Sequence, residues 1–166
     1  MKVYLARHAW AGHYGDTPPA NGSWTTDSER PLTPEGVKRY RRLVRLLADR
    51  GFAPERIATS PYARCRQTAE LIAEATGGPP IDELEALAPG ADLDALSAWS
   101  AHADGESLCW VGHNPCVERL AAQLIGDGYA AVRFAKGSIA AVRFDGPPTP
   151  REGVLEWHLT AKLLGV

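Results

Sequence analysis

The stretch "SLCWVG", Ser107 to Gly112, carries no charged residue and reads as a strand buried on both faces. Such strands sit inside parallel sheets covered by helices on each side. The rest of the chain supplies those helices. Val3 to Ala6 is a short apolar strand, and Arg56-Ile57-Ala58-Thr59 a second. Between them Thr33 is placed to cap a helix, Pro34 suits its first position, and Glu35 favours its positive end. Val37, Tyr40, Val44 and Leu47 recur at helical spacing, and Gly51 closes the segment. Ser60-Pro61 opens a further helix, capped by Ser60 and running to about Thr76. Ile81 to Leu87 reads as a third strand, Asp92 to Ala103 as a helix, and Asn114-Pro115 as the cap and start of a helix reaching about Ile125. Val132 to Phe134, Ser138 to Phe144 and Val154 to Leu159 read as strands joined by turns. Strand–helix repeats followed by a strand-rich end predict a three-layer α/β/α sandwich. Its central sheet is mostly parallel and partly mixed, with an antiparallel element near the end.

With 166 residues, one domain spanning 1–166 is expected, and the length allows a real core. A formal net charge of −2 excludes a strongly basic nucleic-acid binder. No apolar run approaches the roughly 18 residues of a membrane span. The opening "MKVYLA" meets Arg7 too early to hold a signal-peptide core. Cys65, Cys109 and Cys116 form no CxxC pair, so reduced thiols and a cytoplasmic location are expected. His13 to Glu29 is polar and rich in Gly, Pro, Ser and Thr, a long loop of the kind that often serves function.

Ligands of open parallel sheets bind beyond the carboxyl ends of the strands. There the sequence places Arg7 and His8 after the first strand, Arg64 after the second, and His113 after "SLCWVG". Two helix starts point to the same edge, and each favours an anion. Arginine forks match phosphate oxygens in pairs, and histidine serves as donor, acid or nucleophile near neutral pH. No paired carboxylates stand at these edges to hold a metal. His8 and His13 lack the helical i, i+4 spacing of metal ligands. Neither a metal nor another cofactor is therefore expected.

"RHA" at Arg7 to Ala9, "SPYARCRQTA" at Ser60 to Ala69 and "VGHNP" at Val111 to Pro115 together resemble the histidine phosphatase superfamily, in its phosphoglycerate-mutase-like branch. "DSERPLTPEG", Asp27 to Gly36, and "KGSIAAVRFDG", Lys136 to Gly146, are similar to segments of its short SixA-type phosphohistidine phosphatases. The resemblance implies a phosphoglycerate-mutase-like fold and four catalytic residues. His8 would take the phosphoryl group, Arg7 and Arg64 would clamp its oxygens, and His113 would stabilise charge in the transition state. The family has Gly where Ala9 stands. Larger members carry an acidic residue after the third strand, about where Pro89 stands; Glu85 and Asp92 are close but unaligned.

A site without that acid suits a P–N bond, because phosphohistidine can expel a neutral imidazole whereas an alkoxide needs a proton. No inserted lid is visible, which favours a protein carrying phosphohistidine as partner. A small phosphate ester is the alternative substrate, and a non-catalytic phosphate-binding or phosphoprotein-binding module the alternative class. A monomer is expected, with no nucleic-acid or membrane partner.

Other residues carry plainer readings. Trp10 either lines the mouth of the site and contacts substrate or packs against the long loop. Trp24 reads as packing, and His13 as a solvent-exposed loop residue. His102 and His158 read as structural or surface groups, and Cys109 and Cys116 as small apolar fillers. "KRYRRLVR", Lys38 to Arg45, reads as a solvated helix face, and Asn114 as a helix cap.

Overall fold

The structure is a computed structural model and describes residues 1–12 and 24–166. His13 and most of the expected long loop lie outside the described residues. Six strands form one sheet: β1 (Lys2–Arg7), β2 (Arg56–Thr59), β3 (Ile81–Glu83), β4 (Ser107–Gly112), β5 (Ile139–Arg143) and β6 (Val154–Leu159). Their order is β3-β2-β4-β1-β5-β6. The first four are parallel; β5 runs antiparallel to β1, and β6 antiparallel to β5. "SLCWVG" is the inner strand between β2 and β1, which accounts for its uninterrupted apolar run.

Four helices cover the sheet: α1 (Pro34–Ala48), α2 (Ala63–Ala75), α3 (Leu93–His102) and α4 (Cys116–Ile125). Strand side chains alternate between the two faces. Tyr4, Ala6, Ile57, Cys109, Val111, Ile139 and Ala141 share a core with Tyr40, Leu43 and Val44 of α1 and Ala69 and Ile72 of α2. Val3, Leu5, Ala58, Trp110, Ala140 and Val142 share the opposite core with Leu96 of α3 and Val117, Leu120 and Leu124 of α4. The three-layer sandwich with a mixed sheet is therefore correct.

Helix α1 begins as its sequence predicts, with the Gly36 amide donating to Thr33 Oγ1 at 3.0 Å. Its start is pressed onto the loop after β1. A Cβ added to Gly36 would lie 2.2 Å from the Trp10 carbonyl oxygen and 2.9 Å from Thr33 Oγ1. Neither the backbone nor the cap can give way cheaply. Gly36→Ala is expected to cost about 3 kcal/mol, read as a lowered denaturation midpoint in urea.

Local readings fail where side chains are claimed by distant partners. Ser60 does not cap α2, which starts after Tyr62 without a side-chain cap; its hydroxyl faces His113 instead. Asn114 does not cap α4 either. Its amide donates to Glu118 Oε1 at 2.7 Å and to the Phe134 carbonyl at 2.9 Å. Val132 to Phe134 is not a strand, because the Phe134 amide and carbonyl are spent on Glu118, Asn114 and Arg7. Strand β3 ends at Glu83, and Glu85–Leu87 closes into a 3-10 turn.

Candidate active site

The register of the inner strands builds the site. Arg7 is paired with Gly112 in the last step of the β1–β4 ladder, so His8 and His113 leave the sheet side by side. The His8 amide donates to the Gly112 carbonyl at 3.0 Å, and the Gly137 amide donates to the His8 carbonyl at 3.0 Å. Gly137 has φ +72°, and a Cβ there would meet the Trp10 ring at 3.0 Å. β2 ends one step away, where the Ser60 amide donates to the Val111 carbonyl at 3.0 Å. Helix α2 then returns Arg64 to the same place. Thr68 ties the two parts together: its hydroxyl donates to the Arg64 carbonyl at 2.6 Å and accepts the Ala9 amide at 3.0 Å.

All four expected residues meet in this cluster or at its rim. The His8 and His113 rings lie 5.4 Å apart at 60°. Arg64 Nη2 is 3.2 Å from His113 Nδ1. Arg7 donates through Nη1 to the Phe134 carbonyl at 2.7 Å, and its charge acts on His8. Tyr62 adds an aromatic wall, with its ring 4.9 Å from that of His113 and 4.9 Å from the Arg64 guanidinium carbon. The Nε–H groups of Arg7 and Arg64 are both buried and have no partner among the described residues. Buried donors are nearly always satisfied, so these two leave hydrogens that an anion could take up.

The histidine hydrogen bonds assign protons. His8 Nδ1 lies 2.8 Å from the Ala9 carbonyl, which can only accept, so Nδ1 bears the hydrogen and Nε2 the lone pair. Burial is the main cause that pushes His8 down to about 3, and the charges of Arg64, His113 and Arg7 act in the same direction against the Ala9 bond. Burial, then Arg64, pushes His113 down to about 4, with Asp27 opposing. Both rings are neutral at pH 7, and His8 presents a free nucleophilic nitrogen. Their depressed values also link to stability. Above pH 6.5 both are neutral in the folded and the unfolded chain. Between 6.5 and those folded values only the unfolded chain binds the protons. Thermal stability is expected to fall on acidification through this window, by up to about 1.4 kcal/mol per pH unit for each histidine. The His8→Ala and His113→Ala variants should each flatten the slope of melting temperature against pH.

Two residues to which the sequence reading assigned no role complete the cluster. The Asp27 carbonyl accepts from Arg64 Nη1 at 2.7 Å and its Oδ2 from Arg64 Nη2 at 3.0 Å. Arg30 holds the other carboxylate oxygen through Nε at 2.9 Å and Nη2 at 2.8 Å, and its Nη1 donates to the Gly12 carbonyl. Burial pushes the Asp27 carboxyl up, but the Arg30 hydrogen bond and the charges of Arg64 and Arg30 outweigh it and hold the group below the usual carboxylate range. Asp27 is therefore ionised and is no proton donor at neutral pH. Its signal was the Asp–Arg pair three residues apart in "DSERPLTPEG".

The other candidate acids stay away. Glu85 is exposed in the 3-10 turn, and Asp92 is spent capping α3, accepting the Ala95 amide at 3.1 Å. Neither carboxylate has a hydrogen bond or ion pair to the four residues among the described contacts. Trp10 is only partly buried. Arg39 lies over its ring at 4.1 Å, and its carbonyl accepts the Thr33 amide at 2.9 Å. Its observed contacts thus belong to α1 and Gly137. Cys65 is buried with its thiol pushed up to about 12 by burial, and Cys109 is fully buried and pushed up for the same reason. Among the described residues no group of His, Cys, Asp and Glu is placed to hold a metal ion, and no helix is long and apolar enough to cross a membrane.

Two neutral histidines clustered with arginines at the edge of such a sheet have a known setting: this chain belongs to the histidine phosphatase superfamily (branch 1), whose model matches residues 3–89. That membership supports phosphatase activity. Among relatives, the chain is similar to the phosphohistidine phosphatase SixA of Escherichia coli (strain K12), 29% identical over 164 residues that span 96% of this chain and 94% of the other. It is also similar to an uncharacterized protein of a Picosynechococcus strain, 36% identical over 118 residues, 69% of this chain and 67% of that one. A solved structure of the protein histidine phosphatase SixA complexed with tungstate superimposes with a TM-score of 0.81, at 26% identity and 99% coverage of both chains.

Proposed function

We propose that this chain is a phosphatase that works through a phosphohistidine intermediate on His8 and removes phosphate from phosphohistidine in proteins. The observation that carries this reading is the company His8 keeps. It has a neutral ring with a free Nε2 and two arginines with unspent buried donors. Among the described residues, the carboxylate that is hydrogen-bonded to Arg64 is already ionised.

The chemistry runs in two displacements. His8 Nε2 attacks phosphorus, the P–N bond to the substrate ring breaks, and that ring leaves with the electron pair. Protonated at its second nitrogen, it departs as neutral imidazole, so no enzyme acid is required. Arg7 and Arg64 bind the equatorial oxygens throughout, and His113 stabilises the charge they gather. Water then attacks phospho-His8, the second P–N bond breaks, and inorganic phosphate and neutral His8 are restored. The likeness to the SixA phosphohistidine phosphatase of Escherichia coli supports the choice of leaving group. The tungstate in the related structure is a tetrahedral oxyanion of the shape this cluster suits.

The test is phosphate release from a phosphohistidine-carrying phosphotransfer protein beside a panel of small phosphomonoesters, with EDTA present. Faster clearance of the phosphohistidine by at least 100-fold in kcat/KM is expected. Preference for the esters overturns the reading and requires a proton donor at the site.

A further inference from the structure

The two sides of the His113 ring are unequally placed. Nε2 faces inward, 2.9 Å from Ser60 Oγ and 3.4 Å from Cys65 Sγ, and both residues are fully buried. Nδ1 faces the cluster, 3.2 Å from Arg64 Nη2. Arginine has no acceptor, so Nδ1 must offer its lone pair to Arg64, and the single N–H of the neutral ring is on Nε2, donated to Ser60 Oγ. In this state His113 has no hydrogen to give a phosphoryl oxygen. To stabilise the transferring group it must carry the proton on Nδ1, and Nε2 must then accept one. A hydroxyl can meet both demands, because rotation about one bond turns it from acceptor into donor. An amide or a carboxylate in its place would hold only one of the two states. Cys65 is a poor substitute, since a thiol is a weak donor and a weak acceptor.

We propose that Ser60 is a positioning residue that switches the tautomer of His113 when phosphate arrives. The phosphoryl oxygen enters between Arg64 and His113. The ring exchanges its proton with solvent: one is released to water from Nε2 and one is taken up from water at Nδ1, so the ring stays neutral. Ser60 Oγ–H turns to donate to Nε2. Arg64 Nη2 keeps its bond to Asp27 and passes its second hydrogen from His113 to the phosphoryl oxygen. This inference rests on the phosphate-site reading above, but not on the choice between phosphohistidine and ester.

The experiment is 15N NMR of histidine-labelled protein, with His113→Ala for assignment and inorganic phosphate as the probe. Free protein is expected to show His113 protonated at Nε2 and bare at Nδ1, and phosphate should invert the pattern. Ser60→Ala should abolish the inversion and lower kcat roughly 30-fold with KM changed less than about threefold; Ser60→Thr, which keeps the hydroxyl, should restore most of both. If phosphate binds and Nε2 keeps its proton, or both nitrogens become protonated, the tautomer switch is wrong while the phosphate site stands. Retention of the inversion in Ser60→Ala also overturns it. If phosphate does not bind at all, read by calorimetric titration of the same protein, both the switch and the phosphate-site reading are overturned. The wild-type spectra decide the question even where Ser60→Ala folds poorly.

Discussion

Replacing His8 by alanine is expected to reduce phosphate release by roughly 10,000-fold or more, on any substrate the enzyme accepts. In the proposed mechanism the residue forms the covalent bond, so its loss does not merely weaken binding. The effect should fall on kcat, while affinity for inorganic phosphate persists through Arg7 and Arg64. A quenched reaction of the wild type should contain protein heavier by one phosphoryl group, labile in acid and stable in base. The same quench of His8→Ala should contain none. His8 lies between the Gly112 and Gly137 backbones in a rigid part of the sheet, and alanine fits there, so the variant should fold. Residual turnover within tenfold of the wild type would mean that water is activated directly and that no phosphoenzyme forms.

Arg64→Lys should cost about 100-fold in kcat/KM although the charge is kept. The guanidinium holds the Asp27 carbonyl, the Asp27 carboxylate and His113 Nδ1 with two nitrogens, and leaves its Nε–H for substrate. An ammonium has three hydrogens on one atom and cannot span those directions. His113 would lose the donor at Nδ1, a bond that favours the neutral ring. Its titration, followed by NMR, should move up towards the ordinary histidine range. A lysine variant with wild-type kcat/KM would remove Arg64 from the clamp.

The same two residues show what the sequence made legible. Arg7 and His8 could be read because strand ends in parallel sheets are where ligands gather, and the β1–β4 register places them there. Arg64 could be read because a helix start follows β2. Helix α1 announced itself through Thr33, Pro34 and its apolar period, all of them local signals. Ser60 was misread because Ser-Pro before a helix is a good local cap signal, whereas its real partner, His113, lies 53 residues away. Asn114 failed for the same reason, drawn off by Phe134. Asp27 was missed as a site residue: its spacing from Arg30 hints at a local ion pair, but nothing local says that an acidic loop residue will also be clamped by an arginine 37 positions on. Sequence periodicity reports which face is buried; it does not report which polar atoms find each other across the fold.

Asp27 also bears on how the enzyme lets go. Arg7, Arg64 and Arg30 bring three positive charges and the two histidines are neutral; the Asp27 carboxylate offsets one of them at Arg64 and Arg30, and the charge of Glu118 acts on Arg7. An arriving phosphoryl dianion therefore meets arginines whose charge is already partly compensated. With three uncompensated cations the site would hold orthophosphate tightly once it formed, and release would govern turnover. A resident carboxylate on Arg64 acts as a standing competitor for the product, so each catalytic cycle ends in a complex that gives up orthophosphate more readily than three bare cations would.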